Sequence, residues 1–331
     1  MGLFFSLVAF CIVAIIGYLG YISPILFGVV FPYIALSVFL IGLVVRIIKW
    51  AKSPVPFRIT TTAGQQKSLP WLHRNRFDNP SNAWETTVRM LLEILFFRSL
   101  FRNTRASIKD GKKLVYGSEK WLWLFAILFH WSFLIIVLRH FRFFTEPIPN
   151  FVGWLQSIDG FFQFGVPILY ITNVAIIVAL TYLFLRRVID QKIKYFSLSS
   201  DYFPLLLIFG IAATGILMRY YFKVDLVPIK ELAVGILSFN PVVPAKLDPL
   251  FSLHLFLVSV LLIYFPMSKL VHMPGIFFSP TRNLSNDNRE KRHINPWNNE
   301  FKMHYHTYEE YEDEFREVMK NVNLPLEKEE K

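Results

Sequence analysis

The first 45 residues contain no Asp, Glu, Lys or Arg. A soluble core has no room for so long an uninterrupted apolar run, whereas a bilayer does. As one helix it would extend about 68 Å at ~1.5 Å per residue, more than twice a hydrocarbon core of ~30 Å. The run must turn back on itself. Proline disfavours helix continuation, and Ser23-Pro24 and Phe31-Pro32 stand where the turn is wanted. The reading is two spans, 3–22 and 27–48. With no basic leading segment and no small-residue cleavage site, the run reads as retained helix rather than a signal peptide.

Four further charge-free runs occupy 121–138, 160–185, 202–218 and 249–268, each near the ~20 residues that cross a bilayer as a helix. They predict spans at about 119–142, 159–186, 201–221 and 249–271. The fold class is therefore all-α, an integral membrane bundle of about six transmembrane helices. Charged residues make up 18% of the chain, against about 25% in soluble domains. The net charge of +11 has a membrane explanation, and nucleic acid is not an expected partner. Residues 46–120 hold 15 Lys/Arg against 5 Asp/Glu, which by the positive-inside rule places this loop in the cytoplasm. Both termini are then expected on the cytoplasmic side of the cell membrane.

The organisation expected is an N-terminal transmembrane hairpin at 1–48, a basic cytoplasmic loop at 49–118, a four-helix domain at 119–274 and a cytoplasmic tail at 275–331. The loop contains an apolar stretch, 84–101, interleaved with Arg89, Glu93 and Arg98. It reads as a helix lying on the membrane surface. The tail is polar, with EEYEDEFRE at 309–317, and suits short helical pieces docked on a cytoplasmic partner. Neither an internal repeat, a phosphate-binding glycine loop nor a nucleophile motif stands out.

Cys11 is the single cysteine. That excludes an internal disulfide, a cysteine-held iron–sulfur cluster, a covalently tethered c-type haem and a cysteine-rich zinc site. A redox cofactor would need His or oxygen ligands. Of eight His, His73, His293, His304 and His306 fall in polar segments where exposed imidazoles are ordinary. His130 and His140 share one span, and His254 and His272 lie in or at the end of another. Ionisable residues inside spans are costly and mark function by default. At ~100° per residue, eighteen residues return His254 and His272 to one face, and ten leave His130 and His140 about 80° apart.

Neutral imidazole is a good axial ligand for haem iron, and two imidazoles from facing helices would close both axial positions of a b haem. The span directions pair His140 with His254 near the outer face, and His130 with His272 near the inner face. Two haem b groups are thus expected. The separations along the helices differ, about 15 Å against 27 Å at ~1.5 Å per residue, so tilt or a bend near Pro266 is required. Arg139, Arg142 and Arg219 stand where haem propionates would need cations, although long Arg side chains at helix ends also serve as anchors. Trp121, Trp123 and Trp154 suit an interfacial aromatic belt. Asp159 could take a quinol proton, but a helix cap is the stronger reading.

The His spacings, ten and then eighteen, resemble those of the dihaem cytochrome b gamma subunit of respiratory nitrate reductases, over roughly residues 119–275. That resemblance implies two b haems carrying electrons from a quinol to iron–sulfur clusters of a cytoplasmic partner, with the quinol near the outer haem. The additional N-terminal hairpin, long basic loop and charged tail are similar to the DsrM family, the membrane cytochrome b of the sulfite-reduction-associated Dsr complex, and its Hme relatives. The heterodisulfide reductase cytochrome b subunit belongs to the same group. This resemblance implies menaquinone or menaquinol as substrate and a DsrK-like iron–sulfur heterodisulfide-reductase partner. It also implies further Dsr subunits, including periplasmic carriers and another membrane subunit, and sulfate respiration as the setting. No catalytic residue is assigned. A proton-relay transporter or a haem-free membrane anchor is the rival class. Span interiors without acidic residues and without broken inverted repeats argue against the transporter.

Overall fold

The computed structural model describes residues 1–53, 73, 75–109, 111–160, 167–285 and 306–327. Among them, six helices are long and apolar enough to cross a membrane: Gly2–Ile22, Leu26–Ala51, Lys120–Phe144, Ile171–Ile189, Ser199–Tyr221 and Pro249–Met267. Their outward faces carry large apolar side chains such as Phe4, Ile15, Ile41 and Val45 in the open, as lipid contact requires.

Helix α1 (Gly2–Leu19) ends in a 3₁₀ turn at Gly20–Ile22, and the chain returns through a π turn, Leu26–Val30, into α2 (Phe31–Ala51). The expected hairpin is thus present, with Pro24 in its turn and Pro32 at the start of α2. After the loop come α3 (Ala83–Phe96), α4 (Arg98–Phe101) and an antiparallel hairpin of β1 (Thr104–Lys109) and β2 (Lys113–Ser118). The four central spans are α5 (Lys120–Phe144), α7 (Ile171–Ile189), α9 (Ser199–Ile216) and α11 (Pro249–Tyr264). Short helices fill the connections: α6 (Asn150–Asp159), α8 (Gln191–Phe196) and α10 (Val227–Leu237). Beyond α11 lie α12 (His272–Gly275), α13 (Pro280–Asn283) and α14 (Tyr308–Asn321).

α5 packs on α7, α7 on α9, and α9 on α11, while α1 lies against α9 and α11 and α2 against α11. A core of Ile176, Leu180 and Ile208 gathers Phe129 and Phe133 from α5 and Leu261 from α11. Hydroxyls substitute for hydrophobic driving force between spans. Ser6 donates to Ser199 O at 3.1 Å and Ser252 to Gly17 O at 3.0 Å, fixing α1 parallel to α9 and antiparallel to α11. The chain start, the β-hairpin and the start of α5 therefore share one end of the bundle. There Glu119 is paired with Arg186 at 3.0 Å, and Arg105 reaches Asp190 at 3.0 Å.

Three expectations need correction. The fourth span begins at Ile171 rather than 159, because Asp159 ends a separate helix and accepts from the Thr172 amide at 2.9 Å, satisfying an open N–H at the start of α7. The sixth span stops at Met267 rather than 271. Pro266 sits in a 3₁₀ turn, Phe265–Met267, and Ser268 takes extended backbone before the next turn, its side chain accepting from the Leu270 amide. Gly42 of α2 lets that turn approach closely, since a Cβ there would meet Pro266 Cγ at 2.7 Å. The 84–101 helix is broken at Phe97, a left-handed residue with φ 50° between α3 and α4. The Trp123 and Trp131 indoles donate to Phe96 O and Leu95 O at 2.7 and 3.1 Å, taking up carbonyls that the helix end leaves open.

The amphipathicity of α3 is also the reverse of a water-facing surface helix. Its buried side chains are the polar ones, Thr86, Arg89 and Glu93, while Trp84, Leu91 and Phe96 are exposed. A helix with lipid on its outer side and polar partners behind it has this pattern.

Candidate functional site

The residues that stand out in the sequence converge on α5 and its two ends. At the end shared with the β-hairpin, the rings of His130 and His272 lie 5.9 Å apart between centroids, at 82° to each other. His130 Nδ1 is 2.7 Å from Ala126 O, one turn earlier in α5. His272 Nδ1 is 2.9 Å from Lys269 O, in the 3₁₀ turn before it. A carbonyl only accepts, so Nδ1 is the protonated nitrogen of each neutral ring and the lone pair sits on Nε2. Phe97 and Phe129 set their rings edge-on to His130 at 5.0 and 4.9 Å.

The other pair repeats the device with a different partner. His140 Nδ1 is 2.7 Å from Ile136 O. His254 Nδ1 is 2.8 Å from the Thr214 hydroxyl of α9. That hydroxyl also lies 2.8 Å from Gly210 O and 3.0 Å from Ile211 O, so its own proton goes to a carbonyl and its oxygen accepts from Nδ1. All four imidazoles thus turn a ligand-competent Nε2 away from their anchoring acceptors. The neighbouring Gly215 lets α9 come close, because a Cβ there would lie 3.4 Å from His254 Cε1. His140 and His254 are near enough to act on each other electrostatically.

This donor set can be tested against a bis-imidazole metal site. Two imidazoles binding one ion from opposite sides through Nε2, at about 2 Å each as in zinc–histidine bonds, place their centroids roughly 6 Å apart. The spacing of His130 and His272 fits. The helices carrying His140 and His254, α5 and α11, are not among the closely packed pairs of the described residues, and His272 stands on the separate short helix α12. Aromatic rings supply apolar walls. Haem, whose other four ligands come from the porphyrin, fits these residues. Away from the pairs, no group of three or more His, Cys, Asp or Glu among the described residues is placed to hold a metal ion. His73 and His306 are exposed, and His293 and His304 lie outside the described residues.

A polar cluster surrounds the His140 end. Arg139 is buried, with Nη1 3.2 Å from Asp159 Oδ2 and Nη2 at 3.1 and 3.2 Å from Thr172 Oγ1 and Asn173 Oδ1. Its guanidinium lies 3.8 Å from the Tyr170 ring centroid, and that of Arg219 lies 4.4 Å from the same centroid. The Nε atoms of both arginines are buried and have no hydrogen-bond partner among the described residues. A second anion would satisfy them. Arg142 does not join this cluster; its guanidinium sits 5.7 Å over Phe143. Asp159 serves Thr172 and Arg139 with both oxygens, which makes it a structural acceptor. Trp121 and Trp154 are exposed as a membrane belt requires, whereas Trp123 is spent on Phe96 O.

The sequence reading missed Thr214 and Gly215. An apolar helix ordinarily hides such residues as packing devices, and only the proximity of His254 gives them a role.

The four histidines fall within one stretch, residues 101–288, that matches the nitrate reductase gamma subunit family. The chain belongs to that family. Among similar proteins, an Hdr-like menaquinol oxidoreductase cytochrome b-like subunit of Archaeoglobus fulgidus is 48% identical over 280 residues, 82% of this chain and 83% of the relative. A protein of the same description from Archaeoglobus profundus is 45% identical over 273 residues, 80% of this chain and 81% of the relative. With six apolar helices of spanning length, this gamma-family chain is a multi-pass membrane protein.

Proposed function

We propose that the chain is the membrane cytochrome b subunit of a quinol-oxidising complex. In this reading, His140–His254 and His130–His272 each hold one haem b. The observation that carries it is the fixed tautomer of all four imidazoles together with the 5.9 Å approach of His130 and His272. A bound haem supplies reversible one-electron chemistry between the ferric and ferrous states. The chain's own contribution is positional. Two histidines at each site would occupy the positions that oxygen or substrate needs on a bound iron, which would suit electron transfer. Hydrogen bonds at Nδ1 hold the ring planes and raise ligand basicity. The ten-residue separation of His130 and His140 would hold the two sites about 15 Å apart along α5 at ~1.5 Å per residue.

The positive-inside rule places the basic loop, the His130–His272 pair and the tail on the cytoplasmic side of the cell membrane. The Arg139, Arg219 and Tyr170 cluster then lies at the outer side, where the free Nε–H groups of the two arginines receive propionate oxygens. The relatives' description as Hdr-like menaquinol oxidoreductase subunits supports menaquinol as the electron donor. The same description fits a heterodisulfide-reductase-like subunit as the cytoplasmic partner, and in this reading that partner is an iron–sulfur protein of DsrK type. The DsrM-like build, with its N-terminal hairpin and charged tail, favours a sulfur-respiring complex with periplasmic carriers and a second membrane subunit.

The test is anaerobic addition of a short-chain menaquinol to the purified protein, followed in the visible spectrum. Growth of a ferrous b-type α-band within the mixing time supports the reading. An oxidised protein that dithionite reduces but menaquinol does not would reject quinol as donor, and a protein without haem would leave the transporter or anchor class.

A further inference from the structure

Behind the His130–His272 pair lies a second polar cluster, which the quinol-oxidising reading leaves unused. Arg89 is only 7% exposed, and its Nη1 is buried without a hydrogen-bond partner among the described residues. The carboxylates near it are committed elsewhere. Glu93 accepts from Arg282 Nη1 at 2.8 Å, from the Ser99 amide at 3.1 Å and from the Ser99 hydroxyl. Asp78 is held by Arg98 and Arg102, each at 2.5 Å. Among the described residues, this cluster therefore sets four guanidiniums against two carboxylates. Burial first, and then the charge of Arg282, lower the Arg89 pKa against the opposing pull of Glu93 and Asp78. A buried guanidinium in this state lacks a counter-ion, and burying charge without one is costly.

The cluster also has an address. Arg89 and Phe97 are on α3 and its cap, about 12 Å apart along the axis at ~1.5 Å per residue, and the Phe97 ring touches His130. Arg282 is ten residues beyond His272, on α13, which packs against α3. Both arginines thus stand on elements that border the His130–His272 pair, α3 through its Phe97 cap and α13 through its packing on α3. Protohaem carries two propionate carboxylates on one edge, which matches the deficit of two negative charges.

We propose that Arg89 and Arg282, with Arg98 behind them, bind the propionates of the haem held by His130 and His272. This rests on that pair holding a haem. Guanidinium forks match carboxylates bidentately, and the inverted amphipathicity of α3 is what carries Arg89 inward to meet them. The cations also favour the ferrous state, whose iron carries one fewer positive charge.

The test is a potentiometric titration of the full-length purified protein, with both haems followed optically, in wild type and Arg89→Gln. The expected result is a selective fall in the midpoint potential of one haem, with its reduction constant reduced tenfold or more, equivalent to about 59 mV for one electron. The second haem stays unmoved. His272→Ala, which keeps only the other haem, shows which one shifted, and Arg89→Lys restores most of the potential by keeping the charge. Should Arg89→Gln fail to accumulate, Arg282→Gln gives the same reading. Two haems with unchanged potentials, or an equal displacement of both, overturns the clamp alone. A wild-type protein without haem overturns the underlying reading as well.

Discussion

At one end lies the proposed pair of His140 and His254; His254 belongs to the regular helix α11 and is held from the side by Thr214 of α9. At the other end, His130 faces a ring delivered after α11 has ended, on a four-residue turn of helix beyond the break at Ser268. The first pair is made by spans packing on spans. The second depends on a chain break, a 3₁₀ turn and the cap of a surface helix. Their charges differ in the same sense. The Arg139–Asp159 pair is buried, with side chains 9% and 4% exposed, whereas Arg102 in the Asp78 group is 53% exposed. One end is therefore built from regular spans, and the other from short turns and a helix cap beside them, with part of its charge exposed and part, Arg89 and Glu93, buried.

Matched cuts at the two ends should differ most in stability. Asp159→Ala leaves Arg139 buried and unpaired and strips the Thr172 amide, and should cost about 3–5 kcal/mol in denaturation of the detergent-solubilised protein. Asp78→Ala, the matching cut at the other end, should cost about 1 kcal/mol or less because its partners reach solvent. Equal losses would erase the distinction.

A milder cut separates the pairs by cofactor. Thr214→Val keeps volume and removes the acceptor of His254 Nδ1, so haem affinity should fall about 10–100-fold at that pair alone. Haem transfer to apomyoglobin should then show one fast and one unchanged phase. Two accelerated phases would mean that Thr214 acts on the whole bundle.

The ten-residue spacing of His130 and His140 was legible without a structure because side-chain direction in a helix follows the residue count; the eighteen-residue rotation from His254 to His272 was not, because α11 ends at Tyr264 and His272 begins a separate helix beyond two 3₁₀ turns and the extended Ser268. The six spans were legible, since the bilayer imposes both length and composition. The break at Ser268 was foreseen only as a bend near Pro266; it depends on the approach of Gly42 from α2, a contact between residues more than two hundred positions apart. The role of Thr214 was hidden for the same reason. In α3 the periodicity was legible but its sense was not: Arg89 and Glu93 look like a water-facing stripe until their burial is known. Asp159 was readable as a cap, though it caps α7 from outside rather than from its own helix.

Smaller effects sharpen the turn-built end. Trp131→Phe removes the indole hydrogen bond to Leu95 O, worth about 1 kcal/mol. It should raise hydrogen exchange across 83–101 and leave the His254 region unchanged. The pH response of Asp78 should be smaller still. Burial would raise its pKa, but hydrogen bonds and charge from Arg98 and Arg102 outweigh that and hold the carboxyl below its ordinary 3.8. A depressed carboxylate contributes fully above its unfolded value and loses that contribution as pH falls through the folded one. The penalty of Asp78→Ala should therefore stay constant between about pH 8 and pH 5 and shrink only in stronger acid; a penalty that fades near neutrality would contradict the pairing of Asp78 with Arg98 and Arg102.

The most direct test of the account is haem stoichiometry by pyridine haemochromogen in wild type, His254→Ala, His272→Ala and the double variant. The account predicts two b haems per chain, one in each single variant and none in the double. A wild-type chain that folds without haem, or a single variant that keeps both, would contradict it.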